Sequence, residues 1–441
     1  MQALLSFDQA PPFSAPFRFF LTAPLFAMLA GVLLLWSGPE LLASRWTPAA
    51  LAVTHLITVG FMLQVMLGAM IQILPVVAGA NMIRSLGVAR LVHATIVPGA
   101  LLLATGLLTF DPLWFRLAAL ALGFGLALFL AAAGHALHGV PSINPTILGL
   151  KLALTGLIIT AGLGILLAIA VDGSIALPLP LLQLTTIHIG WGFVGWSAVL
   201  LFAVALVVVP MFQMTPPYPP RFASIFPWSL PLVLSFWSLA HAAGWPGLAA
   251  LLTAVLVMTV GVFAVLTLHV QRRSKRARFD ATQHYWRVAM LCALAACALS
   301  LAGTSLPALA ESREWPLLCG VLALFGSLMS VMIGMLYKIV PFLVWLHLQN
   351  LGGGQVVAPT MNKVIAAQQI ERQMQTHFAA LALLLAAVIR PDWFAHLAGV
   401  ALVLANGLLL RNLLGAVAFY QQHRRQIKLK TSSAALRQAA P

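Results

Sequence analysis

AALAVTHLITVGFMLQVMLGAMIQILPVVAG, residues 49–79, is the stretch that decides the fold. Its only ionisable side chain is that of His55, and the rest is dominated by leucine, valine, isoleucine, methionine and alanine. About 20 such residues are enough for an α-helix to cross the hydrocarbon core of a bilayer. The stretch therefore predicts a membrane-spanning helix that is long enough to tilt, kink or protrude.

The rest of the chain has the same character. Of its 441 residues, 61% are hydrophobic and only 7% are charged, whereas soluble domains carry about 25% charged residues. This composition excludes a water-soluble enzyme and a disordered chain. No alternating strand pattern is present, which argues against a β-barrel. We therefore expect an all-α polytopic membrane protein, and at roughly 35 residues per span and loop the length predicts about a dozen helices.

Apolar stretches bounded by proline, glycine and charge mark twelve candidate spans. The second, sixth and tenth are the longest. The predicted spans are 17–37, 49–79, 88–108, 113–137, 147–171, 179–213, 224–243, 247–270, 285–307, 316–347, 375–390 and 394–420.

The charge balance predicts the orientation. The chain has 24 Lys and Arg against 9 Asp and Glu. With the N-terminus inside, the basic cluster 272–278 and the basic tail 421–441 fall on the cytoplasmic side, whereas acids such as Glu40, Asp111 and Asp172 fall outside. We therefore expect both termini in the cytoplasm of a bacterial-type inner (plasma) membrane. The excess of basic residues is then explained by the orientation in the lipid bilayer, which is the expected partner. It does not call for binding to a nucleic acid.

Two absences narrow the function. No Asp or Glu lies deep in any predicted span, which disfavours a carboxylate-based transporter, since intramembrane charge is costly and is kept for function. The three cysteines all lie in apolar runs, so no disulfide framework is expected.

An internal repeat is suggested by three similar segments. LGAMIQILP ends at Pro75, FAVALVVVP at Pro210 and IGMLYKIVP at Pro341, each with a small residue seven positions before the proline. The prolines are 135 and 131 residues apart, which is four spans each time. The spacing predicts three four-helix units, about 17–137, 147–270 and 285–420.

His55 and His188 are the candidate site residues. They lie 20 and 22 residues before Pro75 and Pro210, in the external third of their spans. An imidazole there is costly unless it is hydrogen-bonded or binds a ligand. At helical spacing, Met62 and Met66 follow His55, and Gly192 and Gly195 follow His188. Such faces suit a flat cofactor, but they also suit ordinary helix packing, and both interpretations stay open.

Three further residues have open roles. Cys319 occupies the corresponding depth in the third unit and is either a soft metal ligand or a small hydrophobic side chain. Lys338, near the inner edge, either extends its ammonium to water or takes part in a proton path. His396, at the outer edge of the last span, either joins an outer cluster or does not.

Twelve spans in three units, with histidines on the second and sixth, resemble subunit I of the haem-copper oxidase superfamily. The opening Pro16-Phe-Arg-Phe-Phe and the histidine-bearing second span are similar to the NnrS family, haem- and copper-associated membrane proteins linked to nitric oxide stress. The resemblance implies that His55 matches a low-spin haem ligand of the oxidases and that His188 and His241 match copper ligands. For this chain we expect His55 and His188 to be iron ligands and His241 to be the copper partner. It also implies haem b, and copper, as cofactors, and a respiratory or cytochrome subunit as partner.

The departures from the oxidase pattern are equally informative. Gly192 stands where oxidases carry a tyrosine, and the outer part of the tenth span lacks their His-x-His pair. Four-electron reduction of dioxygen is therefore not expected. The expected function is that of a haem-b, or copper, membrane protein in nitric oxide stress, respiratory stress or electron transfer, and if it is an enzyme it is a haem-dependent oxidoreductase. The alternative is a non-catalytic transporter or oxidase-assembly factor on the same scaffold.

Overall fold

The computed structural model describes residues 10–142, 144–173, 175–353 and 356–438. Every regular element in these ranges is a helix, and twelve helices are long and apolar enough to cross a membrane. The predicted all-α polytopic fold is confirmed. Residues 1–9, the last three residues of the predicted tail 421–441 and the side chain of Asp172 lie outside the description.

The twelve helices match the predicted spans closely, and most extend a few residues further. They are α1 Ser14–Ala43, α2 Pro48–Ala78, α3 Ser85–Thr109, α4 Pro112–His138, α5 Pro145–Ile169, α6 Leu181–Gln213, α7 Pro220–Ala242, α8 Pro246–Arg272, α9 Ala281–Ser305, α10 Glu314–Gly352, α11 Ala367–Ile389 and α12 Pro391–Lys430. The last of them continues as helix to Gln438, so the predicted tail begins as an extension of α12.

Local sequence explains where the helices begin. Thr47, Asp111 and Asn144 each accept a hydrogen bond from a backbone N–H of the first turn, and proline follows each of them at the first helical position. Asp280 and Gln283 form a full capping box at the start of α9. Most of the loops between successive helices are short, and short loops make successive helices antiparallel neighbours.

The helices pack in a pattern that recurs every four spans. In each successive group of four, the first helix contacts the second and third, the second contacts the third, and the third contacts the fourth. The fourth contacts the first helix of the next group, and α12 returns to α1, which closes a ring. The three long helices α2, α6 and α10 are the most buried of the twelve. This arrangement supports the predicted three-unit repeat.

The small residue before each repeat proline lies at a helix crossing. Gly68 of α2 faces Phe20 of α1, and Gly334 of α10 faces Tyr285 of α9, with no room for a side chain in either place. In the middle group the small residues are Ala203 of α6 and its facing residue Gly149 of α5. Close approach of the two backbones is the reason for small residues at these positions.

Each long helix contains a π-helical segment at the same distance from its proline. The segments are Leu56–Leu63, Trp191–Ala198 and Val321–Met329, and each ends twelve residues before Pro75, Pro210 or Pro341. The helices continue past all three prolines. Long π segments are rare, and π turns occur often at functional sites. These segments therefore direct attention to the residues at their start.

We call the end of the bundle that holds the start of α1, the end of α12 and the loops 79–84, 214–219 and 273–280 the terminal face. The opposite end, with the loops 44–47, 243–245 and 306–313, is the distal face. The sequence predicts that the terminal face is cytoplasmic.

Candidate functional site

His55 is the residue that leads into the π segment of α2. Its Nδ1 lies 2.9 Å from the carbonyl oxygen of Leu51, one turn earlier on the same helix. A carbonyl oxygen can only accept, so Nδ1 carries the proton and Nε2 keeps its lone pair. This arrangement, with one nitrogen bonded to a carbonyl and the other free, is the usual one for a metal-binding histidine.

His188 lies three residues before the π segment of α6 and is held in the same way by a neighbouring helix. Its Nδ1 lies 3.1 Å from the carbonyl oxygen of Thr160 on α5. One turn further along α5, Gly164 leaves the space that the imidazole ring occupies, since a β-carbon there would stand 3.0 Å from Cε1. The Nε2 of His188 is therefore also free to accept or to bind a ligand.

The structure places His55 and His188 at the same level of the bundle. Each lies seven residues after the start of its long helix, α2 or α6, although the two are 133 residues apart in sequence. Both side chains are only partly buried, even though they lie inside the bundle, about two turns from the distal face. Two imidazoles that each keep an Nε2 lone pair, at one level of two long, buried helices, are donors of the kind that iron and copper bind.

The sequence predicts that Met62 and Met66 lie on the same helix face as His55, and Gly192 and Gly195 on the same face as His188. This prediction is wrong. Because residues 56–63 and 191–198 form wider π turns, positions seven residues apart no longer share one face. Met62 and Met66 are buried core residues. Gly195 packs against Gly156 of α5 and is covered by the ring of Trp191, so the glycine face is used for helix packing and is no open groove.

His241 is not brought into contact with this pair in the described structure. It lies at the distal end of α7, where its ring is 4.4 Å from that of Trp237. The same Trp237 packs against the backbone of Gly190 on α6. Trp237 thus contacts both His241 and the segment of α6 that carries His188. The copper-binding role of His241 stays a prediction.

The structure gives partners to two of the residues whose roles were open. The Nδ1 of His396 lies 2.9 Å from the carbonyl oxygen of Leu35 on α1, and its ring fills the space above Gly38. Lys338 forms an ion pair with Asp280, 2.6 Å between Nζ and Oδ2, and Arg276 binds the same oxygen at 2.8 Å. His396 therefore joins α12 to α1, and Lys338 joins α10 to the start of α9.

Asp280 lies just outside the spans. Burial would raise the pKa of its carboxyl, but hydrogen bonds from Lys338 and Thr282, together with the charge of Lys338, lower that pKa below its ordinary value. Asp280 is therefore ionised near neutral pH and serves at the same time as a helix cap and as the counter-ion of two cations.

His377 was missed as a buried residue. The predicted span 375–390 begins only two residues before it, which places it at the edge of the membrane, but the structure buries it completely, ten residues into α11. Its Nε2 lies 2.8 Å from Ser330 Oγ, its ring stacks on Phe325, and its Nδ1 has no partner among the described residues.

The first group of helices has a polar contact at the corresponding depth. The hydroxyl of Thr22 lies 2.5 Å from Gln64 Oε1 and 3.1 Å from His93 Nε2. Gln64 and Ser330 stand at the same position, eleven residues before Pro75 and Pro341. No group of three or more His, Cys, Asp and Glu side chains that could hold a metal occurs within the part of the chain described. A metal bound by His55 and His188 would therefore need further ligands from another source. In haem, the porphyrin nitrogens supply them.

Compared with models of known protein families and with curated proteins, the chain matches none of them. A functional assignment therefore depends on the geometry of the histidine pair and on the chemistry that such a pair supports.

Proposed function

We propose that this protein is an integral membrane protein that binds haem b through the Nε2 atoms of His55 and His188 and uses it to bind nitric oxide or to pass electrons. The observation that carries the proposal is the pair itself. In both residues a backbone carbonyl fixes the proton on Nδ1, which leaves Nε2 as the donor atom.

The surroundings of the pair support this proposal. The two imidazoles come from α2 and α6, two of the three most buried helices, and both precede a π segment, His55 directly and His188 by three residues. A histidine with a fixed ring orientation is what a metal ligand requires, because the second hydrogen bond sets the tautomer and the direction of the lone pair. When bound, haem would supply one-electron chemistry, and nitric oxide would reach the iron only by taking the place of one of the two imidazoles.

Copper is the alternative metal, because imidazole suits both iron and copper. His241, whose ring packs edge-on against Trp237, would then be the additional ligand. If the protein is an enzyme, its reaction is a haem-dependent oxidation or reduction. A transporter or an oxidase-assembly factor on this scaffold would contain no stoichiometric haem, and the same experiment distinguishes these functions.

The experiment is an absorption spectrum and an iron and copper analysis of the protein purified in detergent. We expect a haem Soret band and about one iron per chain. His55→Ala and His188→Ala should each weaken or shift the band, whereas His138→Ala, which changes an exposed histidine at the terminal end of α4, should leave it unchanged. A colourless preparation free of iron and copper, from cells supplied with haem, would overturn the proposal.

A further inference from the structure

Two cysteines meet near the distal face, where α9 and α10 run side by side. Cys319 lies in the first turns of α10, and its Sγ is 4.0 Å from Ser300 Oγ on α9. Cys297 is one turn from Ser300 on α9, three residues earlier, so it lies on the same side of that helix. Ser300 and Cys297 therefore both face the start of α10.

The contact between the two helices at this level is fixed by a second pair. The indole of Trp315 fills the space above Gly303, and its Nε1 donates to the carbonyl oxygen of Leu299 at 2.8 Å. This contact holds the start of α10 against the end of α9, one turn from the level of Ser300. Cys297, on α9, and Cys319, on α10, therefore flank Ser300 from two neighbouring helices.

The third cysteine differs from these two. Cys292 is buried, and its sulfur packs directly against Gly326 in the π segment of α10. Cys297 and Cys319 are both partly accessible and free. Cys292 behaves as a packing residue, whereas the other two are only partly buried.

We propose that Cys297 and Cys319 form a two-thiolate binding site for a soft monovalent metal ion of the Cu(I) class. Thiolate sulfur selects Cu(I) over harder cations, and Cu(I) accepts as few as two ligands. Binding replaces the two S–H bonds with two sulfur–metal bonds and releases two protons, with no change in oxidation state. The hydroxyl of Ser300 is placed to donate a hydrogen bond to the Cys319 sulfur.

This site is independent of the proposed haem site, because it uses neither His55 nor His188. It would hold copper on sulfur ligands, separately from the imidazole pair. The two proposals can therefore fail separately.

The test is a titration of the reduced, purified protein with Ag(I), a redox-stable substitute for Cu(I), followed by the ultraviolet absorption of the silver–thiolate bond. The background variant is His55→Ala/His188→Ala, which removes the imidazole ligands. We expect one tightly bound ion per chain, and protection of two of the three cysteines from a maleimide. Cys297→Ser and Cys319→Ser should each abolish tight binding, whereas Cys292→Ser should retain it.

Size-exclusion chromatography identifies any variant that fails to fold, and a Cu(I) competition with a chelator of known affinity repeats the measurement with the metal itself. The proposal is overturned if the folded background variant binds no Ag(I). It is also overturned if Cys297→Ser and Cys319→Ser bind as tightly as their parent, or if Cys292→Ser loses binding to the same extent as they do.

Discussion

The ammonium group of Lys338 on α10 lies 2.6 Å from a carboxylate oxygen of Asp280, the residue that caps α9. The pair lies at the terminal face, and about a quarter of each side chain is exposed. Since Arg276 binds the same oxygen, one carboxylate balances two cations and joins the loop before α9 to α10.

Asp280→Ala should lower the stability of the protein more than the loss of a helix cap alone would. An N-cap contributes about 1 kcal/mol, and the two partly buried cations left without a counter-ion add to the loss. Asp111→Ala is the matched control, because Asp111 caps α4 through a single exposed bond to Leu113 N. The thermal midpoint in detergent should fall further for Asp280→Ala. An equal fall in both variants would show that the ion pair adds nothing.

Acid should remove the contribution of Asp280. Its pKa is lower in the folded protein than in the unfolded chain, so the unfolded state takes up the proton first as the pH falls. The stability is therefore fully present above the ordinary carboxyl pKa of about 3.9 and is lost as the pH falls through the folded pKa. The difference in thermal midpoint between wild type and Asp280→Asn should shrink between pH 6 and pH 3. A constant difference would contradict this origin.

Gly164→Val should disturb the proposed cofactor site without touching a ligand. A β-carbon at this position would press against the ring of His188, whereas Gly162, two residues earlier on α5, has open space around it. We expect Gly164→Val to shift or weaken the haem band and Gly162→Val to leave it unchanged. The absorption spectrum and the iron content per folded chain are the measurements. Identical spectra of the two variants would show that His188 does not bind the cofactor.

Ser330 and His377 should show a non-additive effect. Ser330→Ala leaves the buried His377 with no partner on either nitrogen, and an unpaired buried polar group costs about 1–3 kcal/mol. Replacing both residues, as Ser330→Ala/His377→Phe, removes the unpaired groups and should recover part of the loss, because Phe325 and Tyr285 already surround the ring. Thermal midpoints of the two single variants and the double variant complete the cycle. If the losses of the two single variants simply add in the double variant, Ser330 and His377 do not interact energetically.

The spans could be predicted from sequence because lipid requires long apolar helices, and proline and Asp or Asn caps mark their ends. His55 and His188 could be identified from their depth and from their similar distance to Pro75 and Pro210. The π segments could not be predicted, since a wider turn uses the same apolar residues as an α-turn. The glycine face below His188 was misjudged for that reason, and no pattern along α5 indicates that Gly164 makes room for an imidazole.

The π segments have a consequence for the evolution and engineering of this chain. Each residue added to or removed from an α-helix turns everything beyond it by about 100°. The segments at 56–63 and 191–198 lie between the histidines and the tightly packed crossings at Gly68 and Ala203. Deleting one residue inside a segment would therefore rotate His55 or His188 away from its neighbour while the crossing keeps its register. Each segment acts as a rotational spacer, by which the donor atoms can be re-aimed without rebuilding the ring of helices.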